Sequence, residues 1–189
     1  MNESTEDTST AATADAGTAS AYIVREVVEA DWPQLRELRL EMLADTPIAY
    51  GETLDVALTH EEPEWRMRAR RGLPEHTILL TAIHRETGRW VGTMGGFVQR
   101  EPGAQGPLLV GVYVSPEHRG RSHGVAEAMI GRVEQWAAGE ADSLRLIVHE
   151  DNARAIAFYR RLGYVPNGRT IPYVLDRTRR ELELEKPLR

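Results

Sequence analysis

The most constraining stretch of this sequence is the apolar run Leu108-Leu-Val-Gly-Val-Tyr-Val114, which leads through Arg119-Gly120-Arg121-Ser122-His123-Gly124 into a helical pattern. An apolar run of this length without alternation fits a strand covered on both faces, so it is predicted at the centre of a sheet with helices on either side. After the turn, Val125, Met129, Val133 and Trp136 recur at helical spacing and form one apolar stripe. A strand that enters a small-residue turn and then a helix aims several unpaired N–H groups at one point, where the helix dipole adds positive potential. Such a turn suits a pyrophosphate. Gly120 and Gly124 would admit phosphate oxygens to the backbone, and Arg119 and Arg121 would neutralise charge. By itself, an ordinary strand-to-helix turn packed with small residues explains the same pattern equally well. It is neither a P-loop, for lack of the following Gly-Lys-Ser/Thr, nor the Gly-x-Gly-x-x-Gly dinucleotide fingerprint.

The flanking segments read as alternating strands and helices. Residues 22–28 are β-branched and strand-like. Asp31-Trp-Pro-Gln34 offers an N-cap and a first-turn proline ahead of Leu35, Leu38 and Met42, and a second helix is expected over residues 62–71, ended by Gly72 and Pro74. Residues 76–83 and 90–98 form a hairpin pattern, and residues 101–107 are a loop rich in Gly and Pro. Residues 144–148 are a further strand, and Asn152 can cap a helix running to Leu162 and ended by Gly163. Tyr164 and Val165, residues 171–175 and residues 181–185 are expected as closing strands. The last alternates strictly and is placed at an edge, where it could pair across a two-fold axis. The fold class is therefore mixed α/β: one domain over residues 21–189, with a mostly antiparallel twisted sheet of six to seven strands flanked by helices.

Composition removes several function classes. At 189 residues the chain is one ordinary domain, and it has no apolar run near the ~20 residues of a membrane span. Residues 1–20, dominated by Thr, Ala, Ser, Asp and Glu, bury too little apolar surface to offset ordering and read as a disordered acidic tail. Their lack of a basic and an apolar region argues against a secretory signal, so a cytoplasmic location is expected. Glu3, Glu6, Asp7 and Asp15 carry much of the net charge of −6, leaving a nearly neutral body without the basic footprint of a nucleic-acid binder. The scattered arginines read as solvated helix faces. With no cysteine, thiol nucleophiles and Cys-based metal sites are excluded.

Two segments carry a family resemblance. Val114-Ser-Pro116-Glu-His-Arg119-Gly120-Arg-Ser-His-Gly124-Val-Ala126 resembles the acyl-CoA-binding motif Val-x-Pro-x-x-Arg-Gly-x-Gly-x-Gly/Ala of the GNAT superfamily of N-acetyltransferases. Leu144-x-Leu-x-Val148 followed by Asn152-x-x-Ala155-x-x-Phe158-Tyr159-x-x-Leu162-Gly163-Tyr164 resembles its second signature. The resemblance implies acetyl-CoA as cosubstrate, with the backbone of Val112, Tyr113 and Val114 pairing with the pantetheine arm. It also implies that Arg119, Gly120, Arg121, Ser122, His123, Gly124 and Val125 hold the pyrophosphate, that Asn152 contacts pantetheine, and that Tyr159 is the general acid. A phenol can protonate a departing thiolate. Without the motif, Tyr159 beside Phe158 would read as an amphipathic core residue, and Asn152 as a helix N-cap.

Ser122 stands where the superfamily usually has Gly, so φ > 0 is not expected there. Leu108 and Leu109 stand where many members carry a general-base Glu, which leaves His149, Glu150 or solvent as the base; a solvent-facing loop pair is the simpler reading of the first two. His118 and His123 do not form a zinc pair, and no metal is expected. Tyr50, Glu52 and Trp65 are candidate contacts for a small-molecule or peptide amine acceptor, with Trp65 alternatively core. The reaction so implied is direct transfer of an acetyl group to a primary amine, with a non-catalytic acyl-CoA-binding module and transfer of a longer acyl group as alternatives. No nucleic-acid or membrane partner is expected, and either a monomer or a homodimer is compatible.

Overall fold

The computed structural model describes residues 20–101 and 106–189. The acidic tail expected over residues 1–20 thus lies outside the described residues, apart from Ser20. Along the chain follow β1 (Tyr22–Glu26), α1 (Trp32–Asp45), α2 (Leu54–Leu58), α3 (Glu62–Ala69), β2 (Thr77–His84), β3 (Trp90–Gln99), β4 (Gly106–Val114), α4 (Val125–Ala138), β5 (Ser143–His149), α5 (Ala153–Arg161), β6 (Val165–Pro172) and β7 (Arg180–Pro187). They build one sheet in the order β1-β2-β3-β4-β5-β7-β6, and the pairing of β4 with β5 is its single parallel one among the described residues. The apolar run is indeed the middle strand. Among the described residues no helix is long and apolar enough to cross a membrane.

Period-two alternation in the strands divides two cores. Ile78, Leu80 and Ala82 of β2 meet Val125, Met129, Ile130 and Val133 of α4 on one face, where Tyr159 of α5 also packs. On the other face, Leu35, Leu38 and Met42 of α1 join Trp65 and Ala69 of α3, with Leu79 and Ile83 against them. Gly96 lets α4 approach, because a Cβ there would come within 2.7 Å of the Trp136 ring.

One bulge and one divergence position the site. Thr93 pairs with Tyr113 but Gly95 with Val110, so Gly111 and Val112 together oppose the single Met94, with Gly111 at φ 63°. The extra residue re-phases β4: Leu109 and Val114 enter the α4 core while Tyr113 enters the α1 core. β4 pairs with β5 only at Leu108↔Arg145 and Leu109↔Leu146, and beyond these residues the strands splay apart. Val110, Gly111 and Val112 are accordingly half-buried rather than covered on both faces.

Several local expectations are corrected. Asp31 precedes α1 but gives it no side-chain cap; its carboxylate instead takes both Arg25 amino groups and the Val28 N–H. α2, a short helix capped by Thr53, was not expected from the pattern. β6 is one strand over Val165–Pro172 with an irregularity between Pro166 and Thr170, so residues 173–175 lie beyond it. The alternating segment is β7, which lies between β5 and β6 instead of at an edge. Leu184 faces the main core, while Glu183 on the opposite face is also buried, because Arg145 (3.4 Å) and Asn167 (2.6 Å) meet it there. Alternation signals two unlike faces, and here the polar one is covered too.

Candidate active site

The splay between β4 and β5 opens a cleft of about 570 Å³. Its walls are residues 109–114 of β4, residues 147–149 of β5, the α4 entry turn and one face of α5. Beyond Leu109 the β4 backbone has no strand partner on the β5 side among the described residues, so an extended group could lie along it in place of a strand. The Val112 carbonyl accepts a hydrogen bond from the Tyr50 hydroxyl (3.1 Å), and the buried Tyr113 donates its own hydroxyl to Glu41 (3.1 Å).

At the mouth, Gly120 (φ 100°) and Gly124 (φ 64°, the α4 N-cap) take left-handed backbone, and a Cβ at either would meet nothing within 4 Å. The turn therefore borders open space, as a phosphate cradle requires. Ser122 is not among the positive-φ residues, as expected. The first N–H groups of α4 lack intrahelical acceptors and open beside Ala126 and Glu127, which line the cleft. Arg121 is exposed on this rim. Arg119 is turned inward: its Nε donates to the Val114 carbonyl (2.7 Å), its guanidinium pairs with Asp45, and it lies 5.4 Å over the Tyr113 ring. It locks the turn to β4 and α1, a role its sequence position did not reveal. The His123 side chain turns away as well, its Nδ1 meeting the Tyr22 hydroxyl (2.8 Å), which also meets His118 (3.0 Å). Val125 is buried in the core.

Tyr159 lines the cleft with only 6% of its surface exposed, and its hydroxyl has no hydrogen-bond partner among the described residues. Burial pushes the phenol well above its ordinary value, with Tyr50 adding to the effect, so it stays protonated through neutral pH. Asn152 lines the same cleft and caps α5 by accepting from the Ala155 N–H (3.2 Å), so cap and ligand contact are compatible. His149 is buried against Tyr173 (ring centroids 4.7 Å apart), and its Nδ1 accepts the Asp151 N–H (3.1 Å). With Nδ1 accepting, the neutral form of His149 carries its proton on Nε2. Glu150 is held by Arg179 (3.2 Å) and the Arg180 N–H (3.1 Å) and does not line the cleft.

A second cleft of about 700 Å³ lies on the α1 and α3 side and shares Ala49, Tyr50, Val110 and Gly111 with the first. The two meet at the β4 bulge. Arg39, Arg68 and Arg71 line the second cleft; Arg39 and Arg68 are partly buried there, which corrects the reading of these two as solvated helix faces, while Arg71 is exposed. Arg39 and Arg68 converge on Glu52, each at 2.8 Å, with His60 at 2.8 Å as well. Burial alone pushes the Glu52 carboxyl up, but hydrogen bonds from Arg68, Arg39 and His60 outweigh it and hold it at about 2. Of the expected acceptor contacts, Tyr50 lies at the junction, Glu52 is consumed by its arginines, and Trp65 is core with one edge on the cleft.

The sequence matches the acetyltransferase (GNAT) family over residues 32–164. Among solved structures, a GNAT-family acetyltransferase from Streptococcus pneumoniae superposes with a TM-score of 0.72 at 16% identity, covering 88% of this chain and 98% of that one. A GNAT-superfamily phosphinothricin acetyltransferase from Sinorhizobium meliloti in complex with AcCoA gives 0.70 at 19% identity, over 88% of each chain. An N-acetyltransferase from Thermoplasma acidophilum in complex with coenzyme A gives 0.67 at 16%, over 88% and 98%.

Proposed function

Because the chain belongs to the acetyltransferase (GNAT) family, we propose that it transfers the acetyl group of acetyl-CoA directly to a primary amine, without a covalent enzyme intermediate. The observation that carries this reading is the largely buried Tyr159, whose hydroxyl makes no hydrogen bond to a described residue, in a cleft whose mouth is a glycine-bearing helix entry turn. Two similar folds crystallised with acetyl-CoA or coenzyme A support the choice of cosubstrate. A cytoplasmic location belongs to the same proposal.

Acetyl-CoA supplies an activated thioester. In the proposed arrangement the α4 entry turn holds the pyrophosphate with backbone N–H groups and Arg121, and the free β4 backbone aligns the pantetheine arm as an added strand would. Asn152 borders that arm. Tyr159 holds a proton at Oη for the departing thiolate; its raised pKa keeps that proton in place until sulfur becomes basic. The acceptor enters from the second cleft at the β4 bulge. Among the described residues no side chain lining that cleft is a carboxylate or an imidazole, so in this reading the amine loses its proton to water.

The test is release of CoA thiol from acetyl-CoA in the presence of a panel of primary amines, with wild type and Tyr159→Phe compared. The variant is expected to lose about 10²-fold or more in kcat. It should keep the thermal stabilisation by acetyl-CoA, about 2.7 kcal/mol at 100 times Kd. Stabilisation by acetyl-CoA without thiol release from any amine would instead identify a binding module.

A further inference from the structure

Resting on the reading of the second cleft as the acceptor side, we infer that the acceptor is an amine carrying a second, anionic oxyacid group, a carboxylate or a phosphorus oxyacid, and that Arg71 binds it.

Among the described residues, the cleft presents three arginines and no acidic side chain on its lining. Two of the three are already matched: Arg39 by Glu52, and Arg68 by Glu52 and by Glu64 at 2.7 Å. The exposed Arg71 guanidinium makes no hydrogen bond or ion pair to any described residue. Partial desolvation and the like charges of Arg68 and Arg39 lower its pKa against the opposing pull of Glu64 and Glu52. A cationic acceptor such as a polyamine would find no anchor and a repelling wall.

The position of Arg71 is also enforced. It lies in the short turn Arg70–Gly72 after α3. A Cβ on Gly72 would approach the Leu79 Cβ to 2.6 Å, so this turn is pressed against β2 at the cleft floor. Arg39 and Arg68 are fixed by Glu52, which leaves Arg71 as the guanidinium able to form a two-pronged bond with an incoming oxyanion. The remaining lining is mostly apolar, with Leu35, Met42, Ile78 and Phe97 beside Thr77 and Thr93, so a short hydrocarbon body fits between the anionic end and the amine.

The experiment measures CoA release with three acceptor sets: the proteinogenic amino acids, their carboxamides, and spermidine. Wild type should prefer the carboxylate over its carboxamide by about 10- to 100-fold in kcat/KM, the worth of one charged hydrogen-bonded pair. In Arg71→Ala that preference should collapse toward unity through KM, and Arg71→Lys should recover part of it. Equal or better use of carboxamides or spermidine overturns the inference while leaving the transferase reading intact, as does a preference that survives in Arg71→Ala. If no amine releases CoA, the transferase reading fails instead. Calorimetric titration of amino acids into CoA-saturated protein then decides the anion site: binding lost in Arg71→Ala upholds it, and absence of binding in wild type overturns it.

Discussion

The two clefts that meet at Gly111 are lined by different means. The β4–β5 cleft presents mostly backbone: a strand edge without a partner, a turn with Gly120 and Gly124 in left-handed conformation, and the start of α4. The α1–α3 cleft presents side chains, three arginines brought together from α1, α3 and the turn after it. Backbone recognition suits a constant ligand, because it depends on local conformation. Side-chain recognition can be retuned residue by residue and suits the variable partner of a reaction.

That contrast can be broken by substitution. The largest effect is expected from Tyr159→Phe, a loss of about 10²- to 10⁴-fold in kcat, with unfolding temperature within a few degrees of wild type. Next comes Glu52→Gln, which strands Arg39 and leaves Arg68 with Glu64 alone, and should cost about 2–3 kcal/mol in chemical denaturation while leaving acetyl-CoA affinity unchanged. The pH dependence follows from the same group. Its folded-state pKa of about 2 lies below the ordinary 4.5, so its stabilisation is present above pH 4.5 and disappears as pH falls through 2. Wild type should therefore lose stability over that acidic window more steeply than Glu52→Gln. Gly124→Ala should cost about 1–2 kcal/mol by forcing a Cβ into left-handed backbone, and should weaken acetyl-CoA binding more than acceptor binding.

The smallest change is expected for His149→Gln, whose kcat/KM should rise with pH up to the acceptor's own pKa, as in wild type. A pH-dependent limb present in wild type that disappears in the variant would make His149 the base.

Legibility followed the same division. The middle strand, the α4 stripe, the entry turn and the Asn152 cap were readable, because each is written in contiguous residues, whereas spacing alone made Tyr159 a core residue and only the family resemblance singled it out. The edge position assigned to residues 181–185 was not correct: alternation reports that two faces differ, and the partners that bury Glu183 come from β5 and β6. Arg119 was legible as part of the turn, but its bond to Asp45 connects residues 74 positions apart. The bulge at Gly111 had no signal beyond one glycine within an apolar run, although it decides which core receives Tyr113.

What the sequence by itself determined was a strand, a small-residue turn and an amphipathic helix in succession, and a capped helix carrying Tyr159. Only the tertiary structure decided that β4 and β5 part after Leu109, that Glu52 is spent on Arg39 and Arg68, and that Arg71 is left over at the cleft wall. The physical reason is range. Backbone conformation and side-chain periodicity are set by near neighbours, whereas the pairing of charges and the opening of clefts depend on segments that meet only when the sheet and both helical layers have formed.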